Sequence, residues 1–358
     1  MKSLGHMVLT RSTPLTNNFL LIRILAAILV MVGHAFALAP APCESCHDPI
    51  RLWTGYVSSH ILGVQIFFII SGFLVFGSYQ KNSNLRGFLW ARALRIVPGF
   101  IVCLLLMAGV IGPIFSQLTP EDYFSNSEVR HYFFQSALFL NYVDQLPETF
   151  FSEGSRGGSI NGSLWTIPLE VRLYLIVGFL GGLGAFLCSR RANLCLGLLL
   201  IALFLGLEWG DPSEETISAI QLTFFFWMGA FWFNNRQRVC HDGRIVFFLL
   251  GGVALLRHQI YFPYAVALIL PYSVLWFAYT KKIPLPAGLQ DFSYGIYLYG
   301  FPIQQMLAHA FPGMGPYMMM IVSVPLALMA GALSWHLVEK RFLAPKSGLI
   351  QPPSFSLS

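Results

Sequence analysis

Charged residues are scarce in this sequence of 358 residues. Asp, Glu, Lys and Arg together make up 11% of it, whereas a typical soluble protein has about 25%. Apolar residues make up 56%, and the mean hydropathy is +0.64. The composition therefore excludes an ordinary soluble globular protein and predicts a polytopic protein of the lipid bilayer.

The sequence also lacks any long polar region that could form a soluble accessory domain, and no repeat of solenoid length is visible. The last apolar run ends near Val338, and only a short segment rich in Pro and Ser follows it. We therefore expect one transmembrane domain over residues 1–345, followed by a short cytoplasmic tail, residues 346–358. A nucleic-acid partner is not expected.

Apolar runs predict an all-α bundle of about ten membrane spans. The runs lie near residues 18–38, 60–79, 94–115, 164–187, 193–208, 217–234, 244–257, 261–279, 290–311 and 315–338. The fifth and seventh runs are short for a helix that crosses about 30 Å of hydrocarbon. The first run could pass for the core of a signal peptide, but it is long enough to cross a bilayer, which favours a retained helix.

Charge alternates between successive loops. Most Lys and Arg residues fall in loops on one side of the predicted bundle, and most Asp and Glu residues fall on the other: the basic set includes Lys81, Arg86, Arg190, Arg191, Arg236, Arg238, Lys281, Lys282, Lys340 and Arg341. The positive-inside rule assigns the basic side to the cytoplasm. Both termini are then cytoplasmic, and the number of spans is even.

The first predicted span carries two ionisable residues, Arg23 and His34. Their spacing is close to three turns at ~3.6 residues per turn, so both side chains share one helical face, roughly 16 Å apart along the axis. Ionisable groups in hydrocarbon usually face a bundle interior or a wet cavity and indicate a function. The alternative is that Arg23 extends to the lipid headgroups and His34 makes a structural polar contact.

Two further positions could belong to the same site. Arg92 and Arg95 lie three residues apart, on one helical face, in the cytoplasmic loop before the third span, and guanidinium groups match phosphate geometry. Plain anchoring at the cytoplasmic face is the alternative for this pair. Glu170 lies a few residues inside the fourth span, at an expected depth close to that of His34, where a carboxylate could orient an imidazole. A structural ion pair of Glu170 with an arginine remains the alternative.

Several segments, taken together and in order, resemble the membrane acyltransferase-3 family. They are the Arg23–His34 helix, GVQIFFIISGFLV at 63–75, ARALRIVP at 91–98, SLWTIPLEVRLYL at 163–175, FSYGIYLYGFP at 292–302 and SWHLVEK at 334–340. Two positions depart from the family pattern: Gln65 stands where an acidic residue is common, and Tyr299-Gly300 replaces a frequent Trp-His or similar pair. The chain resembles the stand-alone members that lack a fused SGNH-type hydrolase domain.

The resemblance implies an integral O-acyltransferase of the bacterial inner membrane, usually an O-acetyltransferase, that acylates an extracytoplasmic saccharide. Acetyl-CoA or another acyl-CoA would be a co-substrate, with no bound cofactor and no metal. His34 would act as general base or acyl acceptor. The other expected site residues are Glu170 as its orienting partner, Arg23, Arg86, Arg92 and Arg95 for the donor, and Asn161, Ser163 and Trp165 for the acceptor.

Two other interpretations stay open at this point. Buried Arg, His and Glu would also suit the proton relay of a transporter or flippase, although no inverted repeat is visible. A sensor without catalytic activity is a third class. The segment Cys43–His47 matches the CxxCH pattern of c-type haem attachment. The short loop offers no haem fold, and we expect a local disulfide or two free thiols there.

Overall fold

The computed structural model describes residues 3–11, 16–39, 47–81, 84–150, 158–186, 188–208, 213–286 and 289–343, without the side chains of 204–208. Within these ranges the chain forms helices and no strand, which confirms the all-α prediction. Cys43, Cys46 and the tail at 346–358 lie outside the described residues.

The helices follow the predicted apolar runs. In chain order they are α1 (Leu4–Thr10), α2 (Phe19–Leu38), α3 (Pro49–Thr54), α4 (Ser59–Lys81), α5 (Leu85–Leu106), α6 (Gly112–Phe115), α7 (Pro120–Ser125), α8 (Ser127–Ala137), α9 (Thr166–Gly182), α10 (Ser189–Glu208), α11 (Glu214–Asn234), α12 (Gly243–Leu255), α13 (Phe262–Ala278), α14 (Ser293–Ala310), α15 (Pro316–Ser334) and α16 (Lys340–Leu343). π-helical turns at Met107–Ile111 and Trp335–Glu339 join α5 to α6 and α15 to α16.

Five helices of the described chain are long and apolar enough to cross a membrane. They are α2, α4, the continuous helix Leu85–Phe115, α11 and the continuous helix Pro316–Leu343, whereas α12 and α13 are shorter apolar helices. The chain is therefore a multi-pass membrane protein. The count of ten spans and the cytoplasmic placement of both termini stay predictions.

The basic segment before the third span is helical, as the placement of Arg92 and Arg95 on one helical face implied, and it is continuous with that span. We expected Arg86, Arg92 and Arg95 to lie in a loop, but α5 begins at Leu85, where the Asn84 side chain accepts a hydrogen bond from the Gly87 backbone N–H at 3.3 Å. Such a cap satisfies one of the free N–H groups of the first helical turn. The arginines are thus fixed on a rigid helix.

Glycines allow the central helices to approach one another closely. A Cβ atom at Gly63 of α4 would lie 2.6 Å from the Ala26 carbonyl oxygen of α2, and one at Gly72 would overlap the Phe226 carbonyl of α11. Small residues at such crossings permit the tight packing by which membrane helices associate. On the other side of α2, Gln304 of α14 donates to the Met31 carbonyl at 2.9 Å.

Candidate active site

A cavity of about 140 Å³ lies inside the bundle, bounded by α2, α4, α5, α9 and α14. Four of the predicted site residues line it, namely Arg23, Arg92, Arg95 and Glu170. The other polar side chains of its wall come from three helices, α4, α9 and α14: Ser71, Thr166, Tyr174, Ser293, Tyr294 and Tyr297. The structure thus brings three cations and a carboxylate together from distant parts of the sequence.

Two of the three cations are paired with carboxylates. Arg23 and Arg95 both contact the same oxygen of Asp291, at 2.7 Å and 2.8 Å, and Arg95 also contacts Glu339 at 3.3 Å. Ser293 donates to the second oxygen of Asp291 at 2.6 Å. Two arginines and two carboxylates therefore form a cluster in which positive and negative charge balance.

Sequence reasoning did not single out Asp291 or Glu339. Both lie at the border of segments that carried the family resemblance, since Asp291 directly precedes FSYGIYLYGFP and Glu339 belongs to SWHLVEK. An acidic residue at the basic end of a span was the available signal. The Glu339 side chain is 1% exposed, and charge at such depth in a protein is normally paired.

Arg92 differs from its two neighbours. It lines the cavity, yet within the described ranges no carboxylate lies within ion-pair distance of its guanidinium. Its Nε is buried and has no hydrogen-bond partner there, a feature that it shares with Arg23. Arg86, in contrast, is exposed in the first turn of α5 and does not line the cavity.

Glu170 is held by hydroxyl groups. Its carboxylate accepts hydrogen bonds from Ser71 Oγ at 2.9 Å and from the Tyr174 hydroxyl, and the two hydroxyl oxygens lie 2.8 Å apart. None of the ion pairs among the described residues includes Glu170. The described residues therefore do not form the alternative contact, a structural ion pair between Glu170 and an arginine.

His34 lies at a second place in the bundle. It is 6% exposed on α2, and its ring stacks on that of His60 with ring centroids 5.3 Å apart and planes inclined by 28°. The Phe301 ring meets it edge-on, with centroids 5.1 Å apart and an angle of 82°. Sequence reasoning missed His60, because an unremarkable position before GVQIFFIISGFLV gave no signal.

The expected contact between Glu170 and His34 is corrected by this geometry. Glu170 accepts a hydrogen bond from Ser71, and Ser71 lies about three helical turns along α4 from His60, on which the His34 ring stacks. The reason lies in the chain before α9. Residues 158–161 are buried, so α9 starts below the surface of the bundle and Glu170 lies deeper than its distance from a surface loop would suggest.

The segment 158–165 is tied to α14 by hydrogen bonds. Asn161 Nδ2 donates to the Leu298 carbonyl at 2.8 Å, the Tyr297 hydroxyl to the Ser163 carbonyl at 2.7 Å, and Gln305 to the Ser159 carbonyl at 2.7 Å. The Asn161 and Ser163 side chains are buried, and Trp165 is half-buried. Asn161 and Ser163 therefore hold this segment against α14, and Trp165 keeps an accessible surface. None of the three is among the residues that line the cavity.

The cavity and the histidine pair lie one helical turn apart. Val64 lines the cavity and His60 precedes it by four residues on α4, while Tyr297 lines the cavity and Phe301 follows it by four residues on α14. Four residues correspond to about 6 Å along a helix. A group that fills the cavity from the arginine side would thus end within about one turn of His34.

An apolar helical bundle with an arginine-lined cavity beside a buried imidazole is an arrangement suited to a membrane-bound transferase of acyl groups. The family comparison agrees: the acyltransferase 3 family, whose matching region is described as an acyltransferase domain, covers residues 17–338. The chain belongs to this family. It is a membrane O-acyltransferase.

The chain is similar to two curated relatives over nearly the whole length of each. The O-acetyl transferase of Shigella phage Sf6 is 31% identical over 344 residues, which are 93% of this chain and 97% of the relative. Nodulation protein 10 of Rhizobium leguminosarum bv. viciae is 26% identical over 369 aligned positions, 93% of this chain and 95% of the relative. No solved structure matches the chain significantly.

Proposed function

We propose that this enzyme takes an acyl group, most simply acetyl, from acyl-CoA at the cytoplasmic face and transfers it to a hydroxyl of an extracytoplasmic saccharide. The name of the phage relative supports acetyl as the group. The observation that carries the proposal is the convergence of Arg23, Arg92 and Arg95 on one cavity. The protein would lie in the bacterial inner membrane.

Arg92 would bind the phosphates of the donor most strongly. A guanidinium presents five N–H donors and matches phosphate geometry, and that of Arg92 has no carboxylate partner among the described residues. Arg23 and Arg95 are already paired with Asp291, so they would offer only their remaining donors. Arg86, exposed at the start of α5, would meet the nucleotide at the rim.

The pantetheine arm would extend through the cavity toward the histidine pair. The wall that it meets is largely apolar, with Val64 and Phe67 near the outer end. Glu170 would have a positioning role: it would fix the Ser71 and Tyr174 hydroxyls at this wall of the cavity by accepting their hydrogen bonds. That role replaces the orientation of His34 that the sequence suggested for Glu170.

His34 would then act on the acceptor hydroxyl, since an imidazole is the usual general base near neutral pH. As His34 takes the proton, the hydroxyl oxygen attacks the thioester carbonyl carbon, the C–O bond forms and the C–S bond breaks. The proton passes to the departing CoA thiolate. If His34 instead accepts the acyl group first, the sugar hydroxyl attacks the acyl-imidazole in a second step.

The saccharide would approach from the outer face and contact the half-buried ring of Trp165. An aromatic ring of this kind offers an apolar face and an N–H donor. Asn161 and Ser163 would position the segment that carries Trp165. The Asn161 side chain donates to the Leu298 carbonyl, and the Ser163 carbonyl accepts from the Tyr297 hydroxyl.

The test is mass spectrometry of the surface glycans of cells with the wild-type gene, without the gene, and with His34→Ala. We expect an acyl mass difference with the wild-type gene alone. His6→Ala, a change at an exposed histidine of α1, is the control and should leave acylation at the wild-type level. Acylation at the wild-type rate by a normally inserted His34→Ala protein would contradict the proposal. A flippase would instead change the amount of surface glycan and not its mass.

A further inference from the structure

His60 lies in the first turn of α4 and faces His34 of α2. The two rings are nearly parallel, inclined by 28°, with centroids 5.3 Å apart. Resting on the proposed function, in which His34 takes the acceptor proton, we propose that His60 is a positioning residue: its ring fixes the plane of the His34 ring by stacking.

The stack is set by the backbone and not by a chance contact of flexible side chains. A Cβ atom at Gly33 would overlap the His60 backbone nitrogen, so the two helices touch beside His34. One turn deeper, a Cβ atom at Gly63 would lie 2.6 Å from the Ala26 carbonyl oxygen. Two glycines therefore hold the start of α4 against α2 at the level of the histidines.

The His34 ring has two contacts in nearly perpendicular directions. His60 covers its face at an inclination of 28°, and Phe301 meets it at 82°. An imidazole turns about two side-chain torsions, and one flat contact alone leaves rotation within its own plane. Together the two rings restrict both torsions. Such restriction matters because a misplacement of about 1 Å at a reacting group can lower a rate about 100-fold.

The stacked geometry also indicates which property of His60 matters. Ring nitrogens donate and accept in the plane of the ring, whereas the contact with His34 is made by the face. The Ser58 hydroxyl, just before α4, lies 3.5 Å from His60 Nε2. A planar ring of similar size, without nitrogens, should therefore replace His60.

The kinetic test compares His60→Ala with His60→Phe in the full-length protein in membrane vesicles. The rate of label transfer from radiolabelled acetyl-CoA to the surface polysaccharide fraction is measured. We expect His60→Ala to lower the maximal rate about 10- to 100-fold with the KM for acetyl-CoA unchanged, and His60→Phe to restore it to within about threefold of wild type. A wild-type maximal rate in His60→Ala, or equal loss in both variants, would overturn the inference.

A second measurement does not depend on catalysis. Diethyl pyrocarbonate modifies imidazole nitrogens, and peptide mass spectrometry reports the rate at His34. Removal of the covering ring in His60→Ala should raise that rate several-fold, whereas His60→Phe should keep it at the wild-type level. An unchanged rate in His60→Ala refutes the stacking role. If wild-type membranes transfer no label while the modification rates change as stated, the proposed function fails and the stacking role of His60 stands.

Discussion

The two ends of the candidate site are built by different forces. The inner end, named for the proposed orientation with the arginines toward the cytoplasm, holds four charged groups in contact, since Arg23 and Arg95 share Asp291 and Arg95 also meets Glu339. The outer end holds stacked aromatic rings, His34 with His60 and Phe301. The inner end thus depends on charge balance, and the outer end depends on how closely two helix backbones approach.

This difference separates structural cations from a binding cation. A buried charge with a partner stabilises the fold, and removal of one partner is costly. A cation without a partner, as Arg92 is within the described structure, gains most from an incoming anion. Substitutions at the two kinds of position should therefore have opposite profiles of stability and donor affinity.

The largest effect is expected for Asp291→Asn, which removes the carboxylate that Arg23 and Arg95 share. The side chains of Arg23 and Asp291 are 27% and 18% exposed, so we expect a loss of about 3 kcal/mol, at the low end of the values for a broken buried pair. Thermal unfolding of the purified protein in detergent should show a clearly lowered Tm.

The control for this experiment is Glu214→Gln, at an exposed carboxylate in the first turn of α11. Its Tm should remain close to that of the wild type. If Asp291→Asn unfolds at the wild-type temperature, the charge cluster does not hold the inner end together, and the comparison between the two ends fails.

Arg92→Gln should cause a smaller free-energy change. The change should fall on the binding of CoA and not on the stability of the fold. A hydrogen bond to a charged group is worth about 1.5–3 kcal/mol, which corresponds to a roughly 10- to 150-fold higher Kd for CoA. Calorimetry with the protein in lipid nanodiscs measures this, and the Tm should stay unchanged because no ion pair is lost.

Arg86→Gln is the matched control, on the same helix but outside the cavity. We expect its Kd for CoA to rise less than about threefold, as for an exposed charge. Equal affinities for wild type and Arg92→Gln would show that Arg92 does not bind the donor, and a lowered Tm would assign it to the structural cations.

Hydrophobic periodicity and length were enough to place the helices, since each predicted apolar run contains one. The Arg23–His34 spacing likewise predicted two polar side chains on one face of α2, and the spacing of Arg92 and Arg95 predicted that they share one helical face. These are local patterns, fixed by the geometry of one helix. Glu170 and Tyr174 lie four residues apart on α9, and helix geometry alone brings them together in a hydrogen bond.

Contacts between distant segments could not be read in this way. Asp291, Glu339 and His60 owe their roles to side chains on other helices, and the sequence carries no measure of lateral distance. The depth of Glu170 was wrong for a related reason. A segment of Ser, Asn and Gly residues has the composition of a surface loop, but here Tyr297 and Gln305 supply the hydrogen bonds that allow its burial.

Gly33→Ala tests the outer end and should cause the smallest free-energy change of the three substitutions. The added methyl group would overlap the His60 backbone nitrogen, and relief of such overpacking typically costs 1–3 kcal/mol. We expect about 1 kcal/mol, because α4 begins at Ser59 and its first turn can move outward. The movement separates His60 from His34, so the maximal transfer rate should fall while the Kd for CoA stays at the wild-type value.

Gly197→Ala on α10, where an added methyl group meets no neighbour within 4 Å, should change neither the maximal transfer rate nor the Kd for CoA. A raised Kd for CoA in Gly33→Ala would show that the two ends are mechanically coupled and not independently built.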